Sequence, residues 1–303
     1  MAALQFLTAS YRNDLVPFED LHRSILRYGP EDAMHLVVVP DCDVPLFARF
    51  GGERTLVQPV SAYLPRPLLS VTGATQWFRG VPGLSSLARI DAINPFRPYP
   101  PVRGWIRQQI TKLAAAAASD AEAVVIVDSD VSLVRPVTRD TFVRDGVVRF
   151  YRLPEGITPD MRRHRRWVEI AAGLLDIPAP QGALETDYIA SFVSWDPAIV
   201  RRLLARIEAN GKGGWAAQLA AQIEFSECIL YGLHLDTLGS ERERSFAANE
   251  TRCHSHWDPV PLSEGDAAAF LAGMSPEDVA VHIQSNSHTT EQLRRRLIAT
   301  AQA

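Results

Sequence analysis

One nine-residue stretch, Ala123-Val-Val-Ile-Val-Asp-Ser-Asp-Val131, constrains the fold more than any other part of the chain. Its five apolar residues in a row are too few for a helix of normal length and read as a strand buried on both faces of a sheet. The run ends in two carboxylates one residue apart, at the strand's carboxyl end. Open α/β sheets place their ligands at that edge, in a crevice walled by loops. Residues i and i+2 of an extended segment point the same way, so Asp128 and Asp130 can face one site. Two close carboxylates need a cation between them, or one must take up a proton. Oxygen ligands of this kind suit Mg²⁺ or Mn²⁺, which bind one or two carboxylates together with substrate phosphates. The stretch therefore predicts a metal-diphosphate site.

The rest of the chain supports an α/β fold. Leu4–Ala9, His35–Pro40 and Thr55–Val60 read as strands, separated by a helix that Pro17 opens and a short one that Pro45 begins, with Asp43 as its cap. Such alternation signals a parallel sheet with helices on its faces. Residues 61–103 are rich in proline and glycine and read as an excursion off the sheet, or as a linker between domains. In the helix that follows, Ile106, Ile110, Leu113 and Ala117 share one side, and Arg107, Gln108, Thr111 and Lys112 the other. That polar face is either solvated or, because the helix leads into the acidic strand, aimed at a diphosphate. Asp145-Gly146 marks a hairpin. The run Arg162-Arg-His-Arg-Arg166 reads first as a solvated helix face and second as an anion contact. Asp196 before Pro197 is a helix N-cap, whereas Asp187 lacks such an explanation and is free to accept hydrogen bonds from a ligand. Glu224 and Glu227 follow small and apolar residues, so a buried, ionised glutamate here needs a partner or a function. His254 and His256 share one side of an extended segment. Ser263 with Asp266, and Ser275 with Asp278, read as helix starts, and the helix near Arg294 as a solvated tail.

Composition excludes several classes. Hydrophobic residues at 47% and charged residues at 22% are ordinary for a globular chain and argue against disorder. A formal charge of -4 offers nucleic acid no general attraction. Cys42, Cys228 and Cys253 are widely spaced, form no CxxC pair and follow no secretory leader, so a reducing cytoplasm is expected. No apolar run approaches the roughly 20 residues that span a bilayer, so no transmembrane segment is expected; peripheral membrane association is compatible with the sequence.

The run Ile126-Val-Asp-Ser-Asp-Val131 resembles the DxD motif of nucleotide-sugar glycosyltransferases of the GT-A fold. The segments Gly104–Lys112, Glu224-Phe-Ser-Glu227 with Tyr231-Gly232, and Cys253-His-Ser-His-Trp257 are similar to an uncharacterised bacterial glycosyltransferase-like family. The resemblance implies a GT-A-like, mixed and mainly parallel sheet in one catalytic domain spanning 1–303. Residues 1–131 would bind the nucleotide sugar, 132–262 would form the acceptor side, and 263–303 would be C-terminal helices. It implies that the loop after the first strand meets the base and ribose through Thr8, Ser10, Tyr11 and Asp14; a simple Asn13-Asp14 turn is the alternative. Arg107, Gln108 and Lys112 would join the donor site. Asp128 and Asp130 would bind Mn²⁺ (or Mg²⁺), completed by a late histidine, His254 before His256 and His282. Glu227 would be the general base, with Glu224 and Asp187 behind it. The expected activity is transfer of a sugar from a UDP-linked donor to a glycan or small-molecule acceptor. A sugar-nucleotide-binding scaffold and a haloacid-dehalogenase-like phosphatase using Asp128 as nucleophile are the rival readings.

Overall fold

The computed structural model describes residues 3–65, 68–71, 90–94 and 101–303. Leu4–Ala9 (β1), Met34–Val39 (β2) and Thr55–Pro59 (β3) run side by side in parallel, and Ala123–Val127 (β4) joins β1 in parallel on its other side. The chain leaves β4 through Asp128-Ser129-Asp130 and becomes extended again at Val131–Leu133 (β5), already in a second sheet. Phe192–Trp195 (β6) lies antiparallel on β4, so the central sheet has the order β6-β4-β1-β2-β3. This is the mixed, mainly parallel sheet expected from sequence. In the second sheet, Cys253–His256 (β7) runs parallel to Ala280–Ile283 (β8), and β8 is antiparallel to β5. Residues 263–303 thus hold a strand as well as helices.

β4 is apolar throughout because both its faces are covered. Val124 and Ile126 pack with Leu7, Val38, Ile106 and Ile110, while Ala123, Val125 and Val127 pack with Leu4, Phe6, Leu21 and Phe192. Leu15–Tyr28 (α1) lies on the second of these faces with β5, burying Phe18, Leu21 and Ile25 as their spacing predicts. Gly104–Ala117 (α2), Arg162–Leu175 (α3), Pro197–Asn210 (α4) and Glu227–Leu238 (α5) cover the first face, and Glu291–Ala301 (α6) closes the chain. Among the described residues, no helix is long and apolar enough to cross a membrane.

Local signals were decoded unevenly. Asp145 and Gly146 adopt φ of 52° and 72° between two antiparallel strands, the geometry of the expected hairpin. Asp196 caps α4, accepting from the amides of Ala198 (2.7 Å) and Ile199 (3.4 Å). Asp43 does not cap; its carboxylate is claimed by the Arg12 guanidinium at 2.6 Å. Ser275 and Asp278 form a turn before β8 rather than a helix start. Arg294 is buried beside Asp20, not on a solvated tail. Of the excursion at 61–103, residues 66–67, 72–89 and 95–100 lie outside the described residues; Leu69–Ser70, Ile90–Ile93 and Val102–Arg103 form a small antiparallel sheet.

Two predictions arise from the packing. A Cβ at Gly232 in α5 would overlap the ring of Tyr188. That ring is held by its hydroxyl donating to Asp236 at 2.8 Å and by stacking on Phe150. Gly232→Ala should therefore cost about 2–3 kcal/mol, read as a lower urea midpoint at unchanged m. The second concerns His35, fully buried in β2 between the Thr8 hydroxyl (3.0 Å) and His22 (3.2 Å). Burial, with a smaller push from His22, lowers His35 to about 3. The unfolded chain protonates near the ordinary value of about 6.5, so stability is lost as pH falls through the window between these values. His35 alone should account for about 2 kcal/mol between pH 7 and pH 5. Chemical denaturation at the two pH values should show a shallower loss in His35→Gln than in the native chain.

Candidate functional site

The carboxyl ends of β1 and β4 are tied together where their loops emerge. The Ser129 hydroxyl donates to the Ser10 hydroxyl at 2.9 Å, and the Asp128 amide donates to the Ser191 carbonyl at 3.0 Å. α2 is pinned to the same edge by the Gln108 side-chain amide, which donates to the Ala9 carbonyl at 3.0 Å. One turn further on, α2 delivers Lys112. Its ammonium donates to Asp128 (2.9 Å) and to Glu227 (3.2 Å). Glu227 is the first residue of α5, whose N-cap is the Ser226 hydroxyl, and its own amide donates to the Gln109 side chain at 2.7 Å. A helix N-terminus favours the negative charge placed there.

The charges are set by burial and by neighbours. Burial alone would lower Lys112, but Asp128 and Glu227 overcome it and hold the ammonium well above its ordinary range. Burial would likewise raise Asp130. Contacts from His282 and Ser285 outweigh it and bring Asp130 down to about 2. The Ser285 amide and hydroxyl donate to Asp130 at 2.8 and 2.7 Å, and His282 Nε2 stands 3.4 Å from its other oxygen. Asp14 is pushed up to about 7 by burial and then by Asp130 and Asp128.

Two cavities meet here. The larger, about 460 Å³, is lined by Asp14, Lys112, Asp128, Asp130, Glu227 and His282 among others. The smaller, about 280 Å³, takes in Ser10, Arg12, Asp43, Arg107 and Thr111. Ala9, Tyr11, Trp105 and Gln108 line both. Of the residues singled out from sequence, Ser10, Tyr11, Asp14, Arg107, Gln108, Lys112, Asp128, Asp130 and Glu227 are thereby brought to one continuous site. Arg107 pairs with Asp91 at 3.8 Å.

Five others are placed elsewhere, among them His256, whose Nε2 lies 2.9 Å from the Val260 carbonyl. Thr8 is fully buried within β1 and bonded to His35. Asp187 accepts from the Ile189 amide at 3.0 Å and lines neither cavity, although Ile189 and Ala190 line the larger. Glu224 holds Arg163 (3.1 Å) and the Trp167 indole N–H (3.3 Å). His254 packs its ring on Phe270, 4.5 Å between centroids. Register decides which histidine approaches Asp130. His254 and His256 pair with Val281 and Ile283, whereas His282 pairs with Ser255, so His282 faces the opposite side of the sheet.

Asp130 is met by His282, the last-ranked of the candidate histidines, and by Ser285, which the sequence reading did not single out. Nothing local distinguishes them; they reach Asp130 because β8 lies beside β5, with His282 opposite Val131. Trp105, Trp167 and Trp257 also line the larger cavity.

Among the described residues, no group of three or more His, Cys, Asp or Glu side chains is placed to hold a metal ion. What converges is one carboxylate and one imidazole, Asp130 with His282, while Asp128 is engaged by Lys112. Mg²⁺-type sites need only one or two carboxylates when phosphates and water complete the shell. The 3.4 Å between Asp130 Oδ1 and His282 Nε2 is long for a hydrogen bond. It is near the spacing of about 3 Å between adjacent ligands, each about 2.1 Å from one octahedral ion. Asp130 and His282 can thus offer two adjacent positions, and any further ligands of such a shell would have to come from water or substrate phosphates.

Several solved structures are similar to this chain. The galactosyltransferase LgtC, in complex with donor and acceptor sugar analogues, has 12% identity and a TM-score of 0.42, covering 98% of this chain and 95% of that one. Mouse xyloside xylosyltransferase 1, in its apo form, has 10% identity and a TM-score of 0.43, covering 94% and 98%. The apo glycosyltransferase GlyE of Streptococcus pneumoniae TIGR4 has 12% identity and a TM-score of 0.42, covering 99% of this chain and 60% of that chain. No curated protein matches the sequence. Residues 3–294 match one family throughout, and the chain belongs to it: the family of unknown function DUF6492.

Proposed function

We propose that the protein is a metal-dependent glycosyltransferase that takes a nucleotide-diphosphate sugar, a UDP-linked one, and passes its sugar to an acceptor hydroxyl. One observation carries this reading: an acidic pair, a buried lysine and a buried helix-start glutamate converge on a cavity that continues into a second one at the end of β1. The smaller cavity takes the nucleoside, against Tyr11 and Gln108. The diphosphate lies toward Lys112 and the acidic pair. Asp130 and His282 would hold Mn²⁺ (or Mg²⁺), with Asp128 reaching the ion through water; when bound, the ion would neutralise charge on the departing diphosphate.

The protein's own groups do the remainder. Lys112 exchanges a carboxylate for a phosphate oxygen, since both are anions and the ammonium has three donors. That exchange releases Glu227 from its counter-ion. In an inverting transfer, the acceptor oxygen bonds to the anomeric carbon as the bond from that carbon to the phosphate oxygen breaks. The electron pair leaves on the diphosphate, and the acceptor proton passes to Glu227.

The test is a thermal-shift titration of UDP with and without Mn²⁺. Native protein should be stabilised by UDP far more when Mn²⁺ is present, because a ligand that binds only the folded state raises stability by mass action. Asp130→Ala should lose that metal-linked increment. An unchanged increment in the variant sinks the assignment. Transfer of a labelled sugar, or slow donor hydrolysis, separates an enzyme from a binding scaffold.

A further inference from the structure

Two tryptophans expose a large part of their surface at the larger cavity, where burying an indole elsewhere would have removed it from water. Trp257, just beyond β7, is 47% exposed, and its ring rests on His282 with 4.4 Å between centroids. Trp105, at the start of α2, is 37% exposed and leans on Trp167 at 5.3 Å, with the Arg163 guanidinium over both rings. The two are not equivalent. Trp105 lines both cavities and so stands where they join, on the nucleoside side. Trp257 lines the larger cavity alone, beside Gln284, Ser285 and Asn286.

An aromatic platform flanked by amide side chains matches one kind of ligand. The face of an indole carries negative quadrupole density and attracts the weakly positive C–H face of a sugar ring. The amides next to it can both donate to and accept from ring hydroxyls. Charge narrows the class. Asp14, Asp128, Asp130 and Glu227 line this cavity, and among the described residues that line it Lys112 is the only lysine or arginine. A second anion beside a diphosphate and these carboxylates would be repelled. The basic run of α3 is not among the described residues that line this cavity, and three of its arginines are already paired, Arg163 with Glu224, Arg165 with Glu185 and Arg166 with Glu169.

We propose that Trp257 is the acceptor platform and that the acceptor is a neutral glycoside, stacked on the indole with Gln284 and Asn286 at its hydroxyls. This rests on the donor reading given above, so the two are measured separately. Native protein, Trp257→Ala and Trp257→Phe are each titrated with UDP and Mn²⁺ by calorimetry. Methyl glucoside, methyl galactoside, methyl glucuronide and a serine-containing peptide are then presented to each UDP-loaded sample in saturation-transfer NMR. The neutral glycosides should receive saturation on their ring C–H protons. Trp257→Ala should weaken them about tenfold more than it weakens UDP, the loss expected of a stacked ring, while Trp257→Phe stays within about threefold of native. Native-like thermal unfolding of the variants shows that the fold is retained. UDP binding with no glycoside contact, with glycoside affinity indifferent to Trp257→Ala, or with the glucuronide or peptide preferred, overturns the platform and leaves the donor reading standing. Absence of UDP binding in the native protein overturns both.

Discussion

Lys112→Met is expected to destabilise the protein by about 3–5 kcal/mol and to remove donor-dependent turnover. The ammonium is buried and bridges Asp128 at 2.9 Å and Glu227 at 3.2 Å. Breaking a buried ion pair from one side costs more than the pair contributes, because the remaining charge is left desolvated without a counter-ion. Here two carboxylates are left, one of them, Glu227, almost wholly enclosed. Adding Glu227→Gln to Lys112→Met should restore part of the loss, giving a coupling of about 1–3 kcal/mol in a double-mutant cycle. Urea denaturation of the four proteins measures both effects. Equal stability of native and Lys112→Met proteins would show that the bridge is not formed in solution.

The second large effect separates two roles for Glu227. If it takes the acceptor proton, Glu227→Gln should lower kcat by about 10²–10⁴-fold while the Kd for UDP with Mn²⁺ stays within a few-fold, since an amide oxygen still accepts from Lys112. If Glu227 serves only to seat Lys112, the same variant should weaken UDP and leave the kcat of saturated enzyme largely intact. Placement at the first turn of α5 does not by itself decide between them. The helix terminus stabilises the carboxylate in either role. The comparison of kcat with Kd does decide it.

Much of the central sheet was legible from residue order because the signals there are local. A run such as Val124–Val127 has one low-energy use, a strand covered on both sides, and the strands around it are marked by their turns. The acidic pair, Lys112 and Glu227 were legible for a related reason. Charge at the end of an apolar strand, on the polar side of a helix leading into it, or at the head of a buried helix is costly unless it meets a partner. What those partners were was not written locally. The polar side of α2, taken alone, suits solvent; its Arg107, Thr111 and Lys112 are buried, and Lys112 meets Glu227 because α5 packs against it. His254 and His282 illustrate the harder case. Both lie on strands of one sheet, and a shift of one residue in register sends a side chain to the other face.

That this chain builds a covered parallel sheet, with carboxylates emerging from its central strand, follows from residue order, since apolar periodicity and the cost of burying charge act over a few residues. Which groups complete the site depends on contacts between distant segments. Asp130 meets His282 and Ser285 because the chain changes sheets between Val127 and Val131, and β8 then arrives some 150 residues later to pair with β5. Pairing between distant strands depends on the packing of the whole, so no stretch of sequence near either partner records it.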